Sequence, residues 1–211
     1  MKKSLLVSTL LVASAMAMPA AAETLTIGLA TAQTGGLAGY DSPVIEGLHI
    51  AVDEINAAGG IGGNVMIELI EKDVRSDAAQ TAIAVQELAD AGVSVLVLPC
   101  DADPSLAAIG IVSSAQIPAI STCASSPTLP MIGGEYMFAN FPGDNVQATV
   151  SATWAHEQGF ENGYIIYSPD SQYTTMPLYF AEVFEKLGGT ILGQDTHTIG
   201  QPDFSAIATR I

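Results

Sequence analysis

Apolar positions along this chain switch repeatedly between two periods. Thr24–Ala30 alternates and is rich in β-branched residues, which predicts a strand. Thr31–Ser42 is polar, turn-rich and holds three glycines, which predicts a loop. Val44, Leu48, Ala51, Val52 and Ile55 then recur at helical spacing. Ser42 is the expected cap of that helix, Pro43 its first residue, and Gly59-Gly60 its stop. Val65–Glu71 predicts a second strand, Asp73–Asp77 a loop, and Ala78–Ala91 an Ala-rich helix ended by Gly92. Val93–Leu98 is a continuous apolar run, the pattern of a parallel strand buried on both faces. Pro99–Pro104 reads as a loop, Ser105–Ala115 as a helix and Ile117–Ser121 as a short strand.

The alternation then resumes. Tyr136–Asn140 predicts a strand and Asn145–Gln158 a helix capped by Asp144. Gly163–Tyr167 predicts a strand, Ser168–Tyr173 a polar loop, and Thr174–Leu187 a helix containing Pro177. Thr190–Gly193 starts another strand, and Asp203–Ile211 reads as the beginning of an amphipathic helix. Strands alternating with helices predict an α/β fold with a doubly wound parallel sheet. Right-handed crossovers bring the loops after the strands to one edge, where such sheets bind ligands. Those loops are Thr31–Tyr40, Asp73–Ser76, Pro99–Asp103 and Ser121–Pro127.

Residues 1–22 stand apart from this pattern. Lys2 and Lys3 precede an apolar run, Leu5–Ala17, and Ala20-Ala21-Ala22 forms an A-x-A site. These are the parts of a cleavable signal peptide, so export is expected. The expected organisation is a signal peptide at 1–22, a first α/β lobe at 23–140 and a partial second lobe at 141–211, with a hinge at Phe141–Asp144. The sequence stops at Arg210-Ile211 inside an element, so truncation of the second lobe is expected.

The formal net charge is −16, and beyond the signal region the only cationic side chains are Lys72, Arg75, Lys186 and Arg210. That balance opposes binding to nucleic acid or anionic lipid. His49, His156 and His197 stand apart, and neither Cys123 nor Ser125 has a histidine at a matching strand end, so hydrolytic catalysis is not expected. The glycines of TAQTGGLAGY lack the spacing of a phosphate loop and serve turns instead. No metal or organic cofactor is implied.

Several residues at the predicted edge carry candidate chemistry. Tyr40 is a lone aromatic in a polar loop, either a contact surface or a packing residue. Asp101 and Asp103 flank Ala102 after the central strand. They suit a metal, acid–base work or a counter-charge for a cation, or, for Asp103, capping of the next helix with Pro104 at its first position. Thr122, Ser125 and Ser126 can hold a carboxylate through hydroxyl and backbone donors, or simply make a turn. Asp144 can take an ammonium group or cap its helix, and Tyr173 is expected to face the first lobe across a cleft. Cys100 and Cys123, each at a strand end, can pair in an exported protein, although sequence leaves their geometry open.

TIGLATAQTGGLAGYDSPVIEGLHIAVDEINAAGGIGG resembles the amino terminus of the periplasmic branched-chain amino-acid (leucine/isoleucine/valine) binding proteins of ABC transporters. G…AVDEINAAGGIGG is its most specific part, and VLVLP, IPAISTCASSPTL, YIIYSPDSQYTTMPLYFAEVFEKLGG and DFSAIATRI extend the match across Glu23–Ile211. The resemblance implies a type I periplasmic-binding-protein-like architecture, two α/β lobes closing on a ligand between them, in proteins roughly twice this length. It implies a periplasmic, monomeric protein that delivers a small solute (an amino acid, amide or carboxylate) to ABC permease and ATPase subunits. A ligand-sensing receptor of the same fold is the alternative. Carried over by position, Tyr40 and Tyr173 cover the ligand, Cys123 and Ser125 hold its carboxylate, and Asp144 takes its ammonium group. One departure stands out. Where the family has a serine-rich turn that helps hold the carboxylate, this chain has Cys100-Asp101-Ala102-Asp103, and two acids there would repel a carboxylate.

Overall fold

A computed structural model describes residues 23–169, 171–198 and 201–211, with residues 171–174 described by their backbone alone. The expected signal peptide lies outside the described residues. Among them, no helix is long and apolar enough to cross a membrane.

The first part of the chain builds one all-parallel sheet. Its strands are β1 (Glu23–Thr31), β2 (Val65–Asp73), β3 (Val95–Leu98), β4 (Ala119–Ser121) and β5 (Met137–Ala139), in the order β2-β1-β3-β4-β5. The crossovers are α1 (Ala38–Ala57), α2 (Ala78–Asp90), α3 (Ala102–Ala115) and α4 (Thr128–Gly133). The continuous apolar run is central, as its composition predicts. Leu96 and Leu98 of β3 are buried with Val85 and Leu88 of α2 and Ala108 and Val112 of α3. Gly28 of β1 lets α2 approach: a Cβ there would lie 3.1 Å from a methyl of Leu88. The outer edge of β2 is covered by α1. Asn56 donates from Nδ2 to the Ile67 carbonyl and accepts from the Ile67 N–H, both at 2.8 Å, which occupies a pair of edge groups that otherwise invite another strand.

The second part adds α5 (Asp144–Glu157), β6 (Asn162–Tyr167), α6 (Ser171–Lys186), β7 (Thr190–Thr196) and a single turn, α7 (Ser205–Ala208). β6 and β7 form a separate parallel pair. Phe184 of α6 is fully buried against it, near Gly163 and Gly189, and α5 packs along α6.

Several element boundaries differ from expectation. α1 begins at Ala38, so Pro43 lies inside it and Ser42 is no cap; the Ser42 hydroxyl donates instead to the Ala38 carbonyl at 2.7 Å. The reason is local: the N–H groups of Tyr40 and Asp41 both reach the Leu37 carbonyl and start the helix early. α3 begins at Ala102 with Asp101 as its cap, not Asp103. Gly143, not Asp144, occupies the cap of α5. Tyr173 lies in the first turn of α6 rather than in a loop. The expected helix over Asp203–Ile211 contracts to one turn.

Candidate functional site

The strand order places a switch between β1 and β3: the chain passes from β1 to β2 on one side and from β3 to β4 on the other. A crevice opens outside the carboxyl ends of two such strands. Asp41 sits across it. The side chain is 1% exposed, and its two carboxylate oxygens accept from the N–H of Ala32, just past β1, at 2.6 Å and from the N–H of Cys100, just past β3, at 2.7 Å. Burial pushes the Asp41 carboxyl above its ordinary pKa, and the two N–H bonds oppose that rise.

From Cys100 the connections run outward along the same edge. Cys100 and Cys123 form a disulfide with Cα atoms 4.5 Å apart, joining the turn after β3 to the turn after β4. Ser121 donates to the Pro99 carbonyl at 2.9 Å and accepts from the Ala124 N–H at 3.2 Å. The Asp144 N–H donates to the Ser125 carbonyl at 2.8 Å, which fixes the start of α5 against the turn after β4. Thr175 of α6 donates its hydroxyl to Asp144 Oδ2. Asp144 is 1% exposed, and its Oδ1 has no hydrogen-bond partner among the described residues. Thr31 Oγ1 and Thr122 Oγ1, at the ends of β1 and β4, are likewise buried and unpartnered.

On the other side of the switch, Asp73 at the end of β2 accepts from the N–H groups of Gln33 and Thr34 at 3.0 and 3.1 Å and from the Thr34 hydroxyl at 2.6 Å. Burial acts to raise its pKa, but the bonds from Thr34, Arg75 and Gln33 outweigh it and leave Asp73 below the usual carboxylate value. Gly35 allows this loop to close: its φ is +92°, and a Cβ there would lie 2.6 Å from the Arg75 carbonyl oxygen.

The sequence-predicted residues fall into two groups. Cys100, Asp101, Ala102, Cys123, Ser125 and Asp144 lie along the connected edge. Asp101 is half-buried and accepts weakly from the Asp103 N–H at 3.4 Å. Its burial, together with the charges of Asp103 and Asp41, raises its pKa against the opposing N–H groups of Asp103 and Ala102. Ala102 is buried in the first turn of α3. Tyr40 is half exposed and lines a separate cavity of ≈ 610 Å³, with Tyr164, Ile166, Ser168, Met176 and His197 of the second part. That cavity is not lined by Asp101, Cys123, Ser125 or Asp144. The Tyr173 side chain is outside the described residues. Among the described residues, no group of acids, histidines and cysteines is arranged to hold a metal ion.

Sequence reasoning misses Asp41 and Thr175. Asp41 does carry a signal: it is the one acid within the glycine loop, directly after the aromatic. Thr175 carries none, because its role depends on how α6 packs against α5.

Comparison with known proteins decides the lineage of this edge. The family described as periplasmic binding protein matches residues 24–211. The chain belongs to that family. Members similar to it include the Leu/Ile/Val-binding protein BraC3 of Rhizobium johnstonii, 29% identical over 95% of this chain and 55% of the relative. The leucine-specific-binding protein of Salmonella typhimurium is 24% identical over 95% of this chain and 54% of its own. Among solved structures, the branched-chain amino acid transporter substrate binding protein LivJ of Streptococcus pneumoniae, in complex with isoleucine, aligns with a TM-score of 0.78 at 30% identity, covering 90% of this chain and 54% of that one. A solute binding protein of Rhodopseudomonas palustris in complex with 3,4-dihydroxy benzoic acid has the same fold, with a TM-score of 0.79 at 22% identity, over 89% of this chain and 51% of that one. The chain thus spans about half the length of the periplasmic binding proteins it matches.

Proposed function

We propose that this chain belongs to an exported solute-binding protein of an ABC importer, which takes a small polar solute between two α/β units in the periplasm and passes it to a membrane permease. The observation that carries this reading is the braced edge. Asp41, the Cys100–Cys123 disulfide and the Ser125–Asp144 bond hold the ends of β1, β3 and β4 and the start of α5 in one line. A wall fixed in this way is preorganised for a ligand and loses little freedom when one binds. The Ser125–Asp144 bond crosses from the first unit to α5 of the second, and the Thr175–Asp144 bond carries it on to α6, so contacts made by a solute at Asp144 act on both units. The mechanism is closure: a solute that bridges the units favours the closed state by its differential affinity for it. Signal-peptide cleavage after residue 22 and docking to permease and ATPase subunits complete the proposal.

The test is a panel of amino acids, amides, amines and carboxylates at millimolar concentration, read by Trp154 emission and by melting temperature. Trp154 lies on α5, the helix that Asp144 begins. Saturable shifts with at least one solute are expected. A flat response across the whole panel rules out solute binding by this chain.

A further inference from the structure

The Cys100–Cys123 disulfide joins two turns that are held unequally. Leu98 of β3 and Ser121 of β4 are register partners, and each cysteine stands two residues further along its own strand. The strands pair through their backbones, so the disulfide is not what aligns them. The turn after β3 is fixed from several sides. The Pro99 carbonyl accepts from Ser121 at 2.9 Å and from Ser105 at 3.1 Å, and the Cys100 N–H donates to Asp41. Cys100 itself is 5% exposed. The turn after β4 is looser. Thr122, Cys123, Ser125 and Ser126 are half-buried, and Thr122 Oγ1 is buried without a hydrogen-bond partner among the described residues. Swinging this turn outward returns that hydroxyl to water, which favours the movement. The same turn carries the Ser125 carbonyl that accepts from Asp144 at the start of α5.

Thiol exchange starts at the sulfur that an attacking thiolate can reach, here that of Cys123. The thiolate bonds to Cys123 Sγ, the bond to Cys100 breaks, and Cys100 leaves as a thiolate that takes a proton. The second thiol of an external dithiol then displaces the first from Cys123. The dithiol ends as a disulfide, and two electrons and two protons end on the two cysteines. Cα atoms 4.5 Å apart leave little room for separate thiols, so the looser turn gives way. Cys100 stands just before the cap of α3, where a helix start favours a thiolate. Two carboxylates oppose this: Asp41, which accepts from the Cys100 N–H, and Asp101, the next residue. A thiolate so disfavoured leaves slowly.

We propose that Cys100–Cys123 is a redox latch on the braced edge, opened by a dithiol at Cys123 and guarded by the carboxylates beside Cys100. Closed, it holds the turn after β4 and, through Ser125, the start of α5. Open, it frees both and leaves the five-stranded sheet folded. Only its consequence rests on the solute-binding reading: a solute held at this edge binds less tightly when the pair is reduced.

The experiment uses the 211-residue protein, oxidised or reduced with dithiothreitol, at pH 8. A short pulse of glutathione, quenched with acid and mapped by mass spectrometry, should leave its adduct on Cys123. After full reduction the hydrogen-bonded amides of Ala124 and Asp144 should lose their protection from hydrogen exchange. Those of Gly28–Ala30 and Leu96–Leu98 should stay protected. Asp101→Asn keeps a capping side chain and should speed reduction by dithiothreitol about threefold. Isoleucine and 3,4-dihydroxybenzoate, seen in similar proteins, serve as binding probes. Whichever raises the melting temperature of the oxidised protein should bind the reduced one about tenfold more weakly. An adduct on Cys100, unchanged protection at Ala124 and Asp144, or loss of protection throughout the sheet overturns the latch. So does equal affinity of a probe for both states, and an unchanged rate in Asp101→Asn overturns the guard. If neither probe binds in either state, the solute-binding reading loses support, and the exchange pattern still decides the latch.

Discussion

The two units bury their sheets differently. In the first, β3 is buried beyond its first residue: Leu96 and Leu98 are inaccessible, and so is Leu29 on the neighbouring strand. In the second, β7 alternates between exposed and half-buried positions along its whole length, and Leu192 is 66% exposed. The same strand–helix grammar therefore yields two degrees of burial. Within this chain, which spans about half the length of its relatives, helices cover the five-stranded sheet, and the two-stranded pair draws most of its burial from Phe184 and the α5–α6 contact. The braced edge runs from the well-buried unit to the start of α5, where Thr175 of α6 bonds to Asp144.

The sharpest way to break this contrast is Phe184→Ala. Loss of a fully buried ring should cost about 3–4 kcal/mol. Hydrogen exchange should quicken in β6 and β7 and stay unchanged in β1 and β3; equal quickening in both sheets would show that they unfold together. Removing the disulfide with Cys100→Ser/Cys123→Ser should cost about 3 kcal/mol in urea denaturation, the entropy of the loop it closes across 23 residues. Here the effect belongs to the first unit. Asp41→Ala should cost about 2 kcal/mol, since it strands two N–H groups at the crevice. Its heat denaturation should shift while exchange within β6 and β7 does not.

A smaller effect depends on pH. The Asp73 carboxyl is held below its ordinary value, so its contribution is present above that value and lost as pH falls through the lowered one. The melting-temperature gap between the protein and Asp73→Asn should be open near neutrality and close under strongly acidic conditions. The smallest expected change is Trp154→Ala. This ring is 57% exposed and touches Phe160, and its loss should stay within about 0.5 kcal/mol.

Much of the fold was legible in the sequence because hydrophobic period alone encodes it. The apolar run at Val93–Leu98, whose last four residues form β3, had to be central, and Gly59-Gly60 had to end α1. Helix starts were less legible. Side chains at Ser42, Asp103 and Asp144 all look like caps in sequence, yet each helix starts earlier: the Leu37 carbonyl opens α1, Asp101 caps α3 and Gly143 precedes α5. At the site, the placement of Cys123, Ser125 and Asp144 on one edge followed from parallel topology. The brace that Asp41 makes there did not, because its bond to Cys100 spans 59 residues.

The Asp41–Cys100 bond spans 59 residues, and within that span lie α1, β2, α2 and β3. Such a contact closes a long loop and can form only after those elements have found their places. The crevice is therefore among the last regions to take shape as the chain folds, completed by strands that need no solute to pair. A protein built in this order acquires its recognition surface from a finished scaffold. Exchange of side chains at the surface of that edge then leaves the speed and route of folding largely untouched.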